Sequence, residues 1–151
     1  MNPITETWQI HNRINLYLLE GIAEEHLKDT LASKGRNTGE QFAHMHNVRL
    51  MWLKVAYPAL LEGVAKIEKE KITKTLLTDE LKLSGLAIEQ LFEKAFPGDK
   101  IKGFKPHATG FLGYLISHES HHRGQIMLAL KQSGHMVDQK TQYGIWEWGT
   151  R

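Results

Sequence analysis

Three histidines fall within five residues in the segment His118-Glu119-Ser120-His121-His122-Arg123-Gly124-Gln125, and the flanking residues carry helical apolar spacing. On an α-helix, positions i and i+4 lie one above the other on the same face. His118 and His122 therefore present two imidazoles to one point, which is what a transition metal requires of two neighbouring ligands. His121 is turned about 60° from His118 on the side away from His122, so it is not the natural third ligand. The chain contains no cysteine, which excludes thiolate ligands and disulfides alike.

The third ligand has to come from another element. His44 shares the stripe Gln41, His44, Met45, Val48, Met51, Trp52 and Val55, expected to face inward from its helix. His46 lies about 200° further round, beside Phe42 and Arg49. Three inward imidazoles, two of them at ligand spacing, are costly to desolvate without a metal. As neutral ligands they leave a zinc-like ion one open position, the arrangement of catalytic rather than structural sites. Such an ion brings the pKa of a water or thiol near neutrality and so makes a nucleophile.

The same residues satisfy His-Glu-x-x-His, the zinc peptidase pattern. Its extended form fails, because Gln125 and Leu128 stand where a glycine and a third histidine belong. Glu147, the one downstream carboxylate at a comparable distance, sits between two tryptophans, and no strand is expected that would hold a peptide. A peptidase is the weaker reading. Glu119 and Arg49 are candidates either for supporting the ligands and touching substrate or for a plain salt bridge of the bundle. No residue is assigned as catalytic.

The elements that must position these groups read as helices throughout. A first helix is expected from about Ile4 to Leu31, with His11, Asn12 and Asn15 as solvated or hydrogen-bonded polar residues. Thr38-Gly39-Glu40-Gln41 has the form of a capping box and opens a second helix to about Tyr57, ended by Pro58. Lys66 to Lys74 mixes both signs of charge and reads as a solvated connector. A third helix is expected from about Thr78 to Phe96, then a basic loop, Asp99 to Lys105, read as a solvated crossing. Pro106 suits the first turn of a last long helix to Ser133, capped by Gly134. Gly110 and Gly113 within it predict close approach of another backbone. The tail, His135 to Arg151, carries Tyr143, Ile145, Trp146 and Trp148 and is expected to pack across the bundle or into a partner chain. Four long helices without a sheet predict an all-α four-helix bundle with a C-terminal aromatic tail.

The 151 residues suit a single domain, 1–151. Charged residues at 24% and hydrophobic ones at 41% are ordinary for a globular protein. A net charge of +2 argues against a nucleic-acid binder. The first residues lack the basic-then-apolar order of a signal peptide, and no apolar run approaches the ~18 residues of a membrane helix. A cytoplasmic protein with no nucleic-acid or membrane partner is expected.

Gln41-Phe42-Ala43-His44-Met45-His46, followed by His118-Glu119-Ser120-His121-His122-Arg123-Gly124-Gln125-Ile126, resembles the DinB/YfiT-like metal-dependent superfamily over nearly the whole chain. The resemblance implies a DinB-type four-helix bundle, often dimeric, with a divalent ion, zinc or nickel foremost, held by His44, His118 and His122. Some such relatives are thiol-dependent transferases that use low-molecular-weight thiols such as bacillithiol or mycothiol, and others are isomerases. The expected function is a metal-dependent S-transferase or hydrolase acting on a small molecule, with a low-molecular-weight thiol as possible co-substrate, in a homodimer. The rival reading is a non-catalytic metal-binding stress-response module.

Overall fold

The computed structural model describes residues 2–151, which form five α-helices and no strand. Asn2 opens α1 (Pro3–Glu20) by accepting the Thr5 N–H at 2.9 Å, with Pro3 in the first turn, where a missing N–H is harmless. Periodicity predicts this helix to Leu31, yet it ends at Gly21. There the C-terminal tail crosses so closely that a Cβ would stand 2.9 Å from the Thr141 side chain. Ile22 and Leu27 keep the apolar rhythm because both stay buried, in a turn containing a short 3-10 segment, Glu24–Lys28.

The capping box of α2 (Thr38–Ala56) is offset by one residue from its predicted place. Asn37 is the cap: its Oδ1 accepts from Glu40 N at 2.8 Å, and its own N–H donates to Glu40 Oε1 at 3.1 Å. Thr73 caps α3 (Lys74–Ala95), which starts a turn earlier than predicted and leaves Leu86 exposed. The connector before it is solvated except at Ile67, which is buried, and Ile72, which is half-buried against the core. His107, not Pro106, starts α4 (Ala108–Gln132), its Nδ1 accepting from Gly110 N at 2.9 Å. The predicted close approach at Gly113 is absent, since nothing lies within 4 Å of a Cβ there, and at Gly110 the crowding comes from its own Pro106 and His107. The close approach is at Gly85 of α3, where a Cβ would strike Asn12 of α1 and whose carbonyl accepts Trp8 Nε1–H at 2.8 Å.

α1 packs on α3 and α4, and α2 on α3 and α4, forming the predicted bundle. A short α5 (Gln139–Gly144) leads the tail back over α1. Val137 and Ile145 are buried in one apolar cluster, Trp148 packs against it, and the Arg151 guanidinium lies 4.1 Å from the centre of the Tyr17 ring. The tail thus covers its own bundle, leaving Tyr143 and Trp146 exposed. No helix among the described residues is long and apolar enough to cross a membrane.

The bundle is not purely apolar inside. α2 turns Phe42, Met45, His46, Arg49 and Leu53 inward, all fully buried, while Met51 and Val55 of the stripe predicted to be internal are 54% and 47% exposed. This rotation is possible because the two polar side chains it turns inward, His46 and Arg49, are both hydrogen-bonded. Glu119 of α4 is wholly buried. Its carboxylate accepts Arg49 Nε–H and Nη2–H, both at 2.7 Å, His11 Nε2–H at 3.0 Å and Asn15 Nδ2–H at 2.9 Å. Arg49 Nη1 donates to Leu81 O (3.1 Å) and Ser84 Oγ (3.0 Å), and its guanidinium lies over the Trp8 ring at 4.8 Å. The Ser84 hydroxyl is then free to donate to His46 Nδ1 (2.9 Å), and His46 Nε2–H donates to Ala65 O (2.7 Å). Asn15 Oδ1 accepts from Arg123 Nη1 at 2.7 Å. Polar groups of all four long helices meet in this network.

Burial alone would raise the Glu119 pKa, but the charge and hydrogen bonds of Arg49, with those of His11, hold it well below the usual carboxylate range. Removing one partner of such a pair leaves a buried charge uncompensated, at a cost of about 3–5 kcal/mol. Glu119→Ala should lower the unfolding free energy of the metal-free protein by that amount in urea titrations, and Glu119→Leu combined with Arg49→Met should recover part of the loss.

Candidate metal centre

α2 and α4 lie side by side, and their facing edges bring His44, His118 and His122 together. One ligand atom from each ring lies within 4.8 Å of the other two. The Nε2 atoms of His118 and His122 are 3.1 Å apart. Two ligands at about 2.0–2.1 Å in a tetrahedral site would be about 3.3 Å apart, so this pair already stands at near-ligand separation. The His44 ring centre is 4.6 Å from that of His122 and 5.3 Å from that of His118. His122 is buried, whereas His44 and His118 are half-buried, so the cluster sits at the rim of the bundle and is reachable from solvent.

The hydrogen bonds decide which nitrogens face the centre. Gln41 lies one turn before His44 on α2, and its Oε1 is 2.6 Å from His122 Nδ1. With the amide oxygen accepting, Nδ1 must carry the proton, and Nε2 of His122 is left with a free lone pair aimed at His118. His118 Nδ1 is buried with no partner. A ring clamped by one outer hydrogen bond, with its inner nitrogen free, is the usual state of a metal-binding histidine. The donor set therefore fits a divalent ion, and the three-histidine cluster could hold one. The sequence places Gln41 on the inward stripe of its helix without a part in the site; its i, i+3 spacing to His44 is the signal that pairs the two.

The three imidazoles are kept neutral. His122 is lowered to about 4, first by burial, then by the neighbouring rings of His118, His44 and His121 and by Arg36. Burial likewise lowers His44, helped by Arg36 and His118. For His118 burial dominates, with Glu119 opposing it and His121, Arg36 and Arg49 reinforcing it. Arg36 acts on all three from the exposed loop before α2, a segment that reads in the sequence only as a loop.

The other candidates lie elsewhere. His121 is exposed, edge-on to His122 with ring centres 5.0 Å apart, and outside the cluster. Both ring nitrogens of His46 are engaged by Ser84 and Ala65. Glu147 lies in the tail, with Thr150 and Arg151 as partners. Glu119 and Arg49 form the bundle salt bridge, the plainer of the two readings made for them. His11 and Asn15, read as ordinary polar residues, prove to be hydrogen-bonded members of the same buried network.

The family model for the DinB family matches residues 1–148. Among solved structures, a DinB-like protein from Bacillus subtilis, YjoA, superposes with a TM-score of 0.63 at 22% identity, covering 91% of this chain and 96% of its own. At that identity the likeness is one of fold. No curated protein matches the chain in sequence.

The geometry makes a direct prediction for the metal-free protein. In a pH titration followed by ring-nitrogen NMR, the His122 imidazole should remain neutral, with its proton on Nδ1, down to a midpoint near pH 4. A midpoint near the free-histidine value of about 6.5 would contradict the burial and packing described.

Proposed function

The chain belongs to the DinB family, and we propose that its three-histidine cluster holds a divalent metal ion and serves as the centre of a small-molecule transferase or hydrolase. The observation that carries this reading is the pairing of a pre-set donor triad with an open side. Three neutral imidazoles converge, one of them clamped by Gln41, at a rim that is only half-buried. A structural site would be closed by a fourth protein ligand; catalytic sites keep a position for water or substrate.

A divalent ion bound there supplies Lewis acidity that makes a water or thiol placed against it nucleophilic near neutral pH. The protein's part is positional. His44, His118 and His122 present neutral nitrogens, and Gln41 fixes the tautomer of His122. The Glu119–Arg49 pair ties α4 to α2, so the separation of the ligands from the two helices is held. Arg36 puts positive charge near the open side, which favours an anionic nucleophile or leaving group over a cationic one. Thiol transfer is the option that the family supplies, and hydrolysis follows from the same nucleophile chemistry. A homodimer is part of the proposal, supported by the exposed Tyr143 and Trp146 rings that an association would cover.

Three measurements test it. Metal analysis should find one divalent ion per chain in wild type and in His121→Ala, and none in His44→Ala, His118→Ala or His122→Ala. Full occupancy in His44→Ala would remove α2 from the site. Metal-loaded protein, given a panel of small thiols with a chlorinated aromatic electrophile and a panel of esters, should turn over at least one pair, and His122→Ala should not. Background rates throughout, with metal retained, would leave a binding module in place of an enzyme. Gln41→Leu should bind the same metal with about 10–100-fold lower affinity, read by competition with a chelating dye.

A further inference from the structure

A second concave site lies at the other end of α2. Its apolar wall is formed by Tyr57, Leu91, Ala95, Ile101 and Phe104, around a cleft of about 1220 Å³ between the ends of α2 and α3 and the loop leading to α4. A typical small-molecule site needs about 300–1,000 Å³. Ala56, on its edge, is twelve residues beyond His44 on α2, about 18 Å along the helix, so the cleft is separate from the histidine cluster.

Its charge is one-sided. Lys94, Lys100, Lys102 and Lys105 all line the cleft, and no acidic residue does. Asp99, the acidic residue of the loop, is turned to the start of α4, where its carboxylate accepts from Ala108 N at 3.2 Å. The C-terminal ends of α2 and α3 contribute partial negative charge of about half a unit each. Four full positive charges outweigh that. Lys94 keeps its ammonium 4.9 Å from the Tyr57 ring centre, so its charge stays at the cleft's edge.

The site is also pre-formed. Ile101 is buried and bridges to Phe104, whose N–H donates to Ile101 O at 3.1 Å. Gly103 takes φ 86°, and Val55 fills the place where a Cβ would stand, so only glycine closes the loop down on α2. A formed loop spares a ligand the cost of ordering it.

We propose that this cleft binds a small amphipathic organic anion, a fatty carboxylate being the model, with its chain on the Leu91–Phe104 wall and its carboxylate among the four lysines. The proposal does not depend on a metal at the histidine cluster. An apolar wall alone would take any oily molecule, and lysines alone any anion. Their combination selects a molecule that is both.

The test uses the full-length protein with dodecanoate as probe. Calorimetric titration at low salt should show one saturable site. Dodecanol and dodecyltrimethylammonium should bind at least about tenfold more weakly, and rising salt should weaken dodecanoate. The variant Lys100→Gln/Lys102→Gln/Lys105→Gln changes surface residues only and should lose about tenfold or more, while His122→Ala binds as wild type. Amide shifts in ¹⁵N NMR should concentrate at Tyr57, Ala95 and residues 100–105. Equal affinity for the neutral and cationic probes, or shifts confined to the Tyr143–Trp148 region, would overturn the proposal. So would binding to vesicles of anionic phospholipid without binding of monomeric dodecanoate, which would make the lysines a membrane contact.

Discussion

The buried pair of Glu119 and Arg49 is the constraint on which the arrangement of this bundle depends. Taking both charges out of water costs several kcal/mol per ion. The structure offsets this by saturating the pair: the carboxylate accepts four hydrogen bonds, and the guanidinium bonds Leu81 O and Ser84 as well as the carboxylate. Apolar residues of similar volume would supply much of the same cohesion. What the ion pair adds is register. A bidentate guanidinium–carboxylate contact tolerates little sliding, and it joins the two helices that carry the histidines. Glu119 follows His118 directly, and about 100° of helical rotation between them sends one side chain into the core and the other to the rim. Fixing Glu119 on Arg49 therefore fixes where His118 and His122 stand relative to His44.

The same interior selects against protons. His46 and His122 are each lowered to about 4, with burial the first cause in both cases, and His11 is lowered chiefly by burial against the pull of Glu119. Because these folded-state values lie below that of free histidine, near 6.5, the unfolded chain takes up protons first as pH falls. The stability contributed by neutral imidazoles is thus fully present above about pH 6.5 and is lost as pH drops toward 4. For the cluster at the rim, the same depression means that protons compete weakly for the nitrogens across the neutral range. Glu119 adds its own acid sensitivity, which begins as pH falls through the unfolded carboxyl value near 4.5 and continues below it, since its folded value lies well lower.

The helices and the histidine triad could be read in the sequence because both rest on spacing. The i, i+4 pair His118 and His122 and the apolar face of α4 need only helical periodicity, and Phe111, Leu115, Ile126 and Ala129 of that face are indeed buried. The rotation of α2 could not be read so. Its apolar stripe points to Met51 and Val55 as core, whereas the fold buries His46 and Arg49 on the other side. Hydrophobicity ranks an arginine as a surface residue, and only the tertiary partners Glu119, Ser84 and Trp8, supplied by three other helices, make its burial tolerable. The end of α1 was hidden for a similar reason, since Gly21 stops the helix where Thr141, 120 residues later, comes to lie. The helix caps missed by one residue at α2 because Asn37 and Thr38 are adjacent and both can cap, and the offset has no consequence for the site.

The rotation of α2, which keeps Gln41 and Met45 of the predicted stripe buried and turns Met51 and Val55 out, explains why the histidine cluster is accessible at all. Had the stripe through His44, Val48 and Val55 faced inward, His44 would lie in the bundle interior, and an ion there would be shut from substrate. With Phe42, His46, Arg49 and Leu53 occupying the interior instead, His44 is carried to the seam between α2 and α4, with its ring half-buried against His118 and His122. The exposed Met51 and Val55 follow from the same turn of the helix. They continue the histidine face as an apolar strip along α2 toward Gly103, against which Val55 packs. A polar core and an apolar rim are thus two results of one helical rotation, and the open side of the centre is the third.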